Sequence, residues 1–117
     1  MQFRHVTLSV KDAEASIKFY QEIVGLKLIR RFPIESGKEI IFLGSGGTEV
    51  ELISGRTESG VSVGISMGFA SESLENTMEL IRSKGYEIVG DIINPNPQTR
   101  FFFVKDPDGY NVQFINA

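Results

Sequence analysis

Only one imidazole occurs among the 117 residues, that of His5, and there is no cysteine. Thiol nucleophiles, thiolate metal sites and disulfide frameworks are therefore excluded. Four polar side chains stand out on segments that alternate with apolar residues. His5 and Thr7 alternate with Val6 and Leu8, Glu51 lies between Val50 and Leu52, Ser66 precedes Met67, and Gln113 lies between Val112 and Phe114. An imidazole and a carboxylate can ligate a divalent cation or carry a proton. A hydroxyl and an amide can hydrogen-bond a ligand, but they bring no charge. The chain thus offers one titratable pair, His5 and Glu51, and one neutral pair, Ser66 and Gln113.

The elements that must position these residues follow from periodicity. Phe3 to Val10 reads as a strand with His5, Thr7 and Ser9 on one face and Val6, Leu8 and Val10 on the other. Asp12 caps a helix whose stripe is Ala13, Ile17, Tyr20 and Val24, and Gly25 ends it. Strands are predicted at about 26–32, 39–44 and 48–54, with turns at Ser36-Gly37 and Ser45-Gly46-Gly47. The second half begins with a strand over 64–70, then a helix capped by Ser71 or Ser73 that carries Leu74, Met78 and Ile81 and stops at Lys84-Gly85. Strands near 86–90, 100–104 and 110–115 complete it. They are separated by a loop at Asn94-Pro95-Asn96-Pro97 and a type I turn at Asp106-Pro107-Asp108-Gly109.

The order is β-α-β-β-β twice, which makes one α+β domain over 1–117 from a module of about 1–57 and another of about 61–117. Segment 39–53, EIIFLGSGGTEVELI, runs without gaps against 101–115, FFFVKDPDGYNVQFI. Segment 5–23 falls on 66–84, and one skipped residue brings Gly25 onto Gly85. Under this repeat His5 corresponds to Ser66 and Glu51 to Gln113. If both sheets curl around a common hollow, the four side chains converge there; that expectation comes from symmetry.

The same residues carry a resemblance. His5-Val6-Thr7-Leu8-Ser9-Val10 with Asp12, then Ser16-Ile17-Lys18-Phe19-Tyr20 and Val24-Gly25-Leu26, are similar to the opening of glyoxalase I and its relatives. Asp106-Pro107-Asp108-Gly109-Tyr110 before the last strand is similar to their close. The chain resembles, over essentially its whole length, the vicinal oxygen chelate superfamily of glyoxalase I, bleomycin-resistance proteins and extradiol dioxygenases, and most of all the small bacterial glyoxalase-like proteins. The resemblance implies two curled mixed sheets enclosing a cavity. It also implies a homodimer with shared sites and a divalent metal (nickel, zinc or manganese) held by one residue from each of four strands.

The bacterial glyoxalase pattern His, Glu, His, Glu falls on His5, Glu51, Ser66 and Gln113. Two strong ligands are kept. Ser66 is a poor ligand for zinc or nickel, and Gln113 can ligate through its carbonyl oxygen but cannot act as a base. Any metal is therefore expected at His5, Glu51 and Gln113, weakly held. Glu51 is the candidate catalytic carboxylate, and Ser66, Thr7, Phe101 and Phe103 are expected to line the pocket. Extradiol dioxygenase and fosfomycin-modifying chemistries need two histidines and are excluded.

Each residue also has an ordinary reading. His5 suits a half-buried strand histidine, Glu51 a solvent-facing one, and the Phe101-Phe102-Phe103 run core packing, with Phe102 toward the helices. Met67 and Met78 read as core, and Arg30, Arg31 and Arg100 as solvated surface. Charge is nearly balanced, 12 Lys+Arg against 15 Asp+Glu, without a basic run. Nucleic acid and membrane are therefore not expected partners. No apolar stretch of signal-peptide or membrane length opens the chain, so a cytoplasmic location is expected. Three functions follow: a metal-free small-molecule binder, a glyoxalase-type carbon–sulfur lyase or isomerase acting on a hemithioacetal or related enolisable substrate, or an interaction domain whose pocket is vestigial.

Overall fold

A computed structural model describes residues 1–56 and 60–117. The chain forms two compact units, Met1–Gly60 and Val61–Ala117. In the first, β1 (His5–Val10) leads to α1 (Ala13–Phe19), a π-helical turn over Tyr20–Val24, β2 (Lys27–Pro33), β3 (Glu39–Gly44) and β4 (Glu49–Ser54). In the second, β5 (Ser66–Ser71) leads to α2 (Leu74–Ser83), β6 (Ile88–Asn96), β7 (Thr99–Lys105) and β8 (Asn111–Asn116). Each unit holds one four-stranded sheet, in the order β1-β4-β3-β2 and β5-β8-β7-β6. The first and last strands of each are parallel and the other pairs antiparallel, so both sheets are mixed.

Local chemistry explains the helices. Asp12 accepts the Ala15 amide at 3.2 Å and Ser73 accepts the Asn76 amide at 3.2 Å, which satisfies donors that a first helical turn leaves free. Ser73 is therefore the cap. Ser71 instead meets the Thr77 hydroxyl at 2.8 Å. The first helix does not stay regular to Gly25. Its last turn widens, and the Leu26 amide closes it on the Tyr20 carbonyl at 2.9 Å.

The core face of each sheet lies opposite the polar face. Leu8, Val10, Ile41, Leu43, Val50 and Leu52 are buried with Ile17, Phe19 and Tyr20 of the first helical segment. In the second unit Phe102, Val104, Val112 and Phe114 are buried with Leu74 and Ile81. Phe102 packs on Phe114 with ring centroids 5.5 Å apart, in agreement with its expected inward direction. Met67 and Met78 are half-buried at the margin of this core.

Two expectations need correction. The Asn94–Asn96 stretch is strand, not loop, because β6 runs on to Asn96 and turns only at Pro97-Gln98. Proline tolerates this because β6 is an edge strand, where a missing N–H leaves no ladder bond unmade. The ungapped overlay of 39–53 on 101–115 is also one residue out before the turn. Phe42 pairs with Glu51, whereas Phe103, not Val104, pairs with Gln113. The cause is a longer second turn. Asp106 accepts the amides of Asp108 and Tyr110 at 2.9 Å each, and Gly109 takes a left-handed φ of 97° to close it.

Candidate functional site

Register brings the singled-out residues into rows across each sheet. In the first unit one row reads Thr7, Glu51, Phe42, Arg30. His5 and its neighbour Glu49 form the adjacent row. In the second unit the matching row reads Gly68, Gln113, Phe103, Val89, and the adjacent one Ser66, Asn111, Lys105. His5 and Ser66 therefore hold equivalent register positions in their separate sheets, and so do Glu51 and Gln113.

The first unit assembles an acidic centre. Glu51 is buried, its side chain 11% exposed, while the His5 side chain is 40% exposed. The Thr7 hydroxyl donates to Glu51 Oε1, and His5 Nε2 lies 3.5 Å from that same oxygen. A buried carboxylate needs such donors, because unpaired charge away from water is costly. The His5 ring meets the Phe42 edge with centroids 5.5 Å apart. The Arg30 guanidinium lies 3.9 Å from the Phe42 centroid and 3.4 Å from Glu49 Oε1. Phe42 thus packs between a histidine and an arginine, and with a buried acid beside it the site suits a ligand with hydrogen-bond donors and an apolar body. Glu51 is not solvent-facing, and the ordinary reading of it fails.

In the second unit Ser66 is exposed, and Gln113, Phe101 and Phe103 are half-buried on one face. Phe101 and Phe103 meet edge to face with centroids 5.8 Å apart. Gln113 reaches over Gly68, and a Cβ there would stand 3.0 Å from Oε1. Lys105 Nζ donates to Asn111 Oδ1 at 2.6 Å.

The implied divalent metal can be tested against these donors. Two ligands about 2.1 Å from a tetrahedral metal lie about 3.4 Å apart, and the 3.5 Å between His5 Nε2 and Glu51 Oε1 matches that edge. The second unit offers only a hydroxyl and an amide at the equivalent places. Among the described residues no group of three or more His, Cys, Asp or Glu side chains gathers as a metal needs. The donor set fits half of a site and does not fit a tightly held metal.

Sequence reasoning missed Phe42, Arg30, Glu49, Lys105 and Asn111. Strand alternation could have placed Glu49 and Asn111 two residues from Glu51 and Gln113. Phe42, Arg30 and Lys105 needed cross-strand register, and Arg30 sits next to a bulge between Leu28 and Arg30. The arginines are not merely solvated. Arg31 binds Glu14 and Glu39, and Arg100 binds Glu75 at 2.6 Å. The Arg31 hydrogen bond holds the Glu39 carboxyl below its ordinary range, and Arg100 does the same to Glu75. No helix among the described residues is long and apolar enough to cross a membrane.

Comparison with known proteins bears on the family and the fold. The family model of the Glyoxalase/Bleomycin resistance protein/Dioxygenase superfamily matches residues 2–114. Lactoylglutathione lyase of Haemophilus influenzae is 33% identical over 127 aligned residues, covering 98% of this chain and 92% of that protein. Among solved structures, the trypanothione-dependent glyoxalase I of Leishmania major superposes with a TM-score of 0.85 at 27% identity, covering 99% of this chain and 86% of its own. Glyoxalase I from Zea mays superposes with a TM-score of 0.86 at 27% identity, covering 99% of this chain but only 44% of the maize one.

Proposed function

The chain belongs to the glyoxalase/bleomycin resistance protein/dioxygenase superfamily, and from that premise we propose that it binds a small molecule at the Glu51 face without needing a tightly held metal. The carrying observation is the state of Glu51, a buried carboxylate whose Oε1 already accepts from Thr7 and faces His5. A carboxylate so held is a fixed acceptor for a ligand's N–H or O–H groups. The His5 ring, Phe42 and Arg30 supply the apolar and polarisable walls such sites use. The pair Ser66 and Gln113 supports the same reading, since it supplies neither the imidazole nor the carboxylate that a firm metal site would require.

A second reading is favoured by the 33% identical lactoylglutathione lyase, which aligns over nearly the whole chain. In it the protein is a carbon–sulfur lyase for a hemithioacetal, and Glu51 takes a proton from one carbon and returns it to its neighbour. Such transfer asks for a carboxylate within hydrogen-bond reach of the substrate. Gln113 cannot share that duty. We further propose a cytoplasmic homodimer; the exposed Leu28, Ile29, Phe32 and Ile34 at the β2 edge support self-association.

Calorimetric titration with nickel, zinc and manganese, for the natural protein and Glu51→Gln, tests the choice. Weak or absent metal binding, with no turnover of glutathione hemithioacetals, is expected. Near-stoichiometric metal that is lost in Glu51→Gln, accompanied by hemithioacetal turnover, would establish the lyase instead.

A further inference from the structure

The two copies of the repeat differ in charge. Where the first unit presents His5, Glu49 and Glu51, the second presents Ser66, Asn111 and Gln113. Gly44, whose own Cβ position would meet Glu49 Cγ at 3.1 Å, is answered by Lys105 beside Asn111. The acidic face has thus become a face of hydrogen-bond donors with one cation. Glu87, next to Lys105 across the sheet, meets it through the backbone, the Lys105 amide donating to the Glu87 carbonyl at 3.3 Å.

We infer that this face of the second unit is a subsite for the carboxylate of an aryl carboxylate, with Lys105 as its specificity-determining residue. Lys105 Nζ bonds Asn111 Oδ1 at 2.6 Å, which fixes the ammonium over the strand and leaves it further hydrogens to donate. The Asn111 and Gln113 amides and the Ser66 hydroxyl add neutral donors. Two residues back along the strand, about 6.6 Å away, Phe103 stands on the same face, with Phe101 edge-on to it at 5.8 Å. That spacing suits a ring laid on Phe103 with its carboxylate at Lys105. The absence of a side chain at Gly68 makes room for the Gln113 amide, whose Oε1 would stand 3.0 Å from a Cβ there. This inference does not rest on the role given to Glu51, which belongs to the first unit.

The test is nuclear magnetic resonance titration of the full chain with benzoate, its neutral analogue benzamide and its cationic analogue benzamidine. Benzoate is expected to perturb amides of 66–71, 99–105 and 111–116 and to bind about ten-fold more tightly than benzamide, the difference of one charge-assisted hydrogen bond. Lys105→Met should remove that difference by weakening benzoate more than benzamide, and Lys105→Glu should transfer the preference to benzamidine. Circular dichroism of both variants establishes that they fold. Equal affinity for benzoate and benzamide, an unchanged preference in Lys105→Met, or no benzoate binding would each overturn the inference.

Discussion

Thr7 and Gly68 hold the same place in the two copies of the repeat and act oppositely on the side chain beside them. The Thr7 hydroxyl donates to Glu51, whereas Gly68 leaves open the space over which Gln113 extends. The charged member of the pair is held and the neutral member is given room. This difference, together with Ser66 in place of an imidazole, separates an acid centre from an amide-lined face on otherwise matching frames.

Removing the Thr7 hydroxyl tests how firmly Glu51 is held. Thr7→Val should cost about 1–2 kcal/mol, the usual loss when a carboxylate gives up a hydrogen bond. In Glu51→Gln the same change should cost less. A urea-unfolding double-mutant cycle measures the coupling, and additivity would show the contact contributes nothing.

Ser66→His together with Gln113→Glu gives the second unit the residue types of the first, at places with the same register. Nickel and zinc affinity should rise about 100-fold, at least the span that even outer-shell changes produce. Calorimetry against the natural protein reads the change. An unaltered affinity would mean that these four strands do not present their side chains to a common ion.

Two glycines should respond differently to alanine. Gly55 takes a φ of 83°, and a Cβ there would stand 2.8 Å from the Gly37 carbonyl oxygen, so Gly55→Ala should destabilise by about 1–2 kcal/mol. At Gly68 the obstacle is only the mobile end of Gln113, and Gly68→Ala should stay within about 0.5 kcal/mol of the natural protein. Thermal unfolding of the two variants distinguishes them.

Acid should weaken the first unit partly through Glu39. Its folded carboxyl is lowered from 4.5 by the Arg31 hydrogen bond, so the contribution is present above that ordinary value and is lost as pH falls through the folded one. Arg31 itself is raised and stays protonated throughout, so the pH dependence of the pair comes from its carboxylate partners. Because the pair is partly solvated, Arg31→Met should cost only about 0.5–1 kcal/mol at neutral pH, and less at strongly acid pH. Urea midpoints at both pH values measure this.

Much of the frame was legible in the residues. Periodicity of two and of 3.6 marked the strands and helices, and the offset linking 5–23 to 66–84 carries the Asp12 cap onto the Ser73 cap. What escaped depends on register. The one-residue slip before Asp106 moved Phe103 into the row that the ungapped overlay gave to Val104, and only the ladder of β7 on β8 reveals it. The strand through Pro95 was hidden because proline reads as a loop unless the edge position of β6 is known. Glu51 was found as a position. Its hydrogen bond to Thr7 was not, since β1 and β4 meet across 44 residues of chain.

Every strand in each sheet finds its neighbours inside its own unit, the parallel partner included. Among the described residues each ladder is made of strands of one unit. A change of side chain in one half therefore leaves the backbone pairing of the other undisturbed. Repetition of such a self-registering frame gives latitude: one copy can carry an acid at a position where the other carries an amide, as Glu49 and Asn111 do beside Gly44 and Lys105.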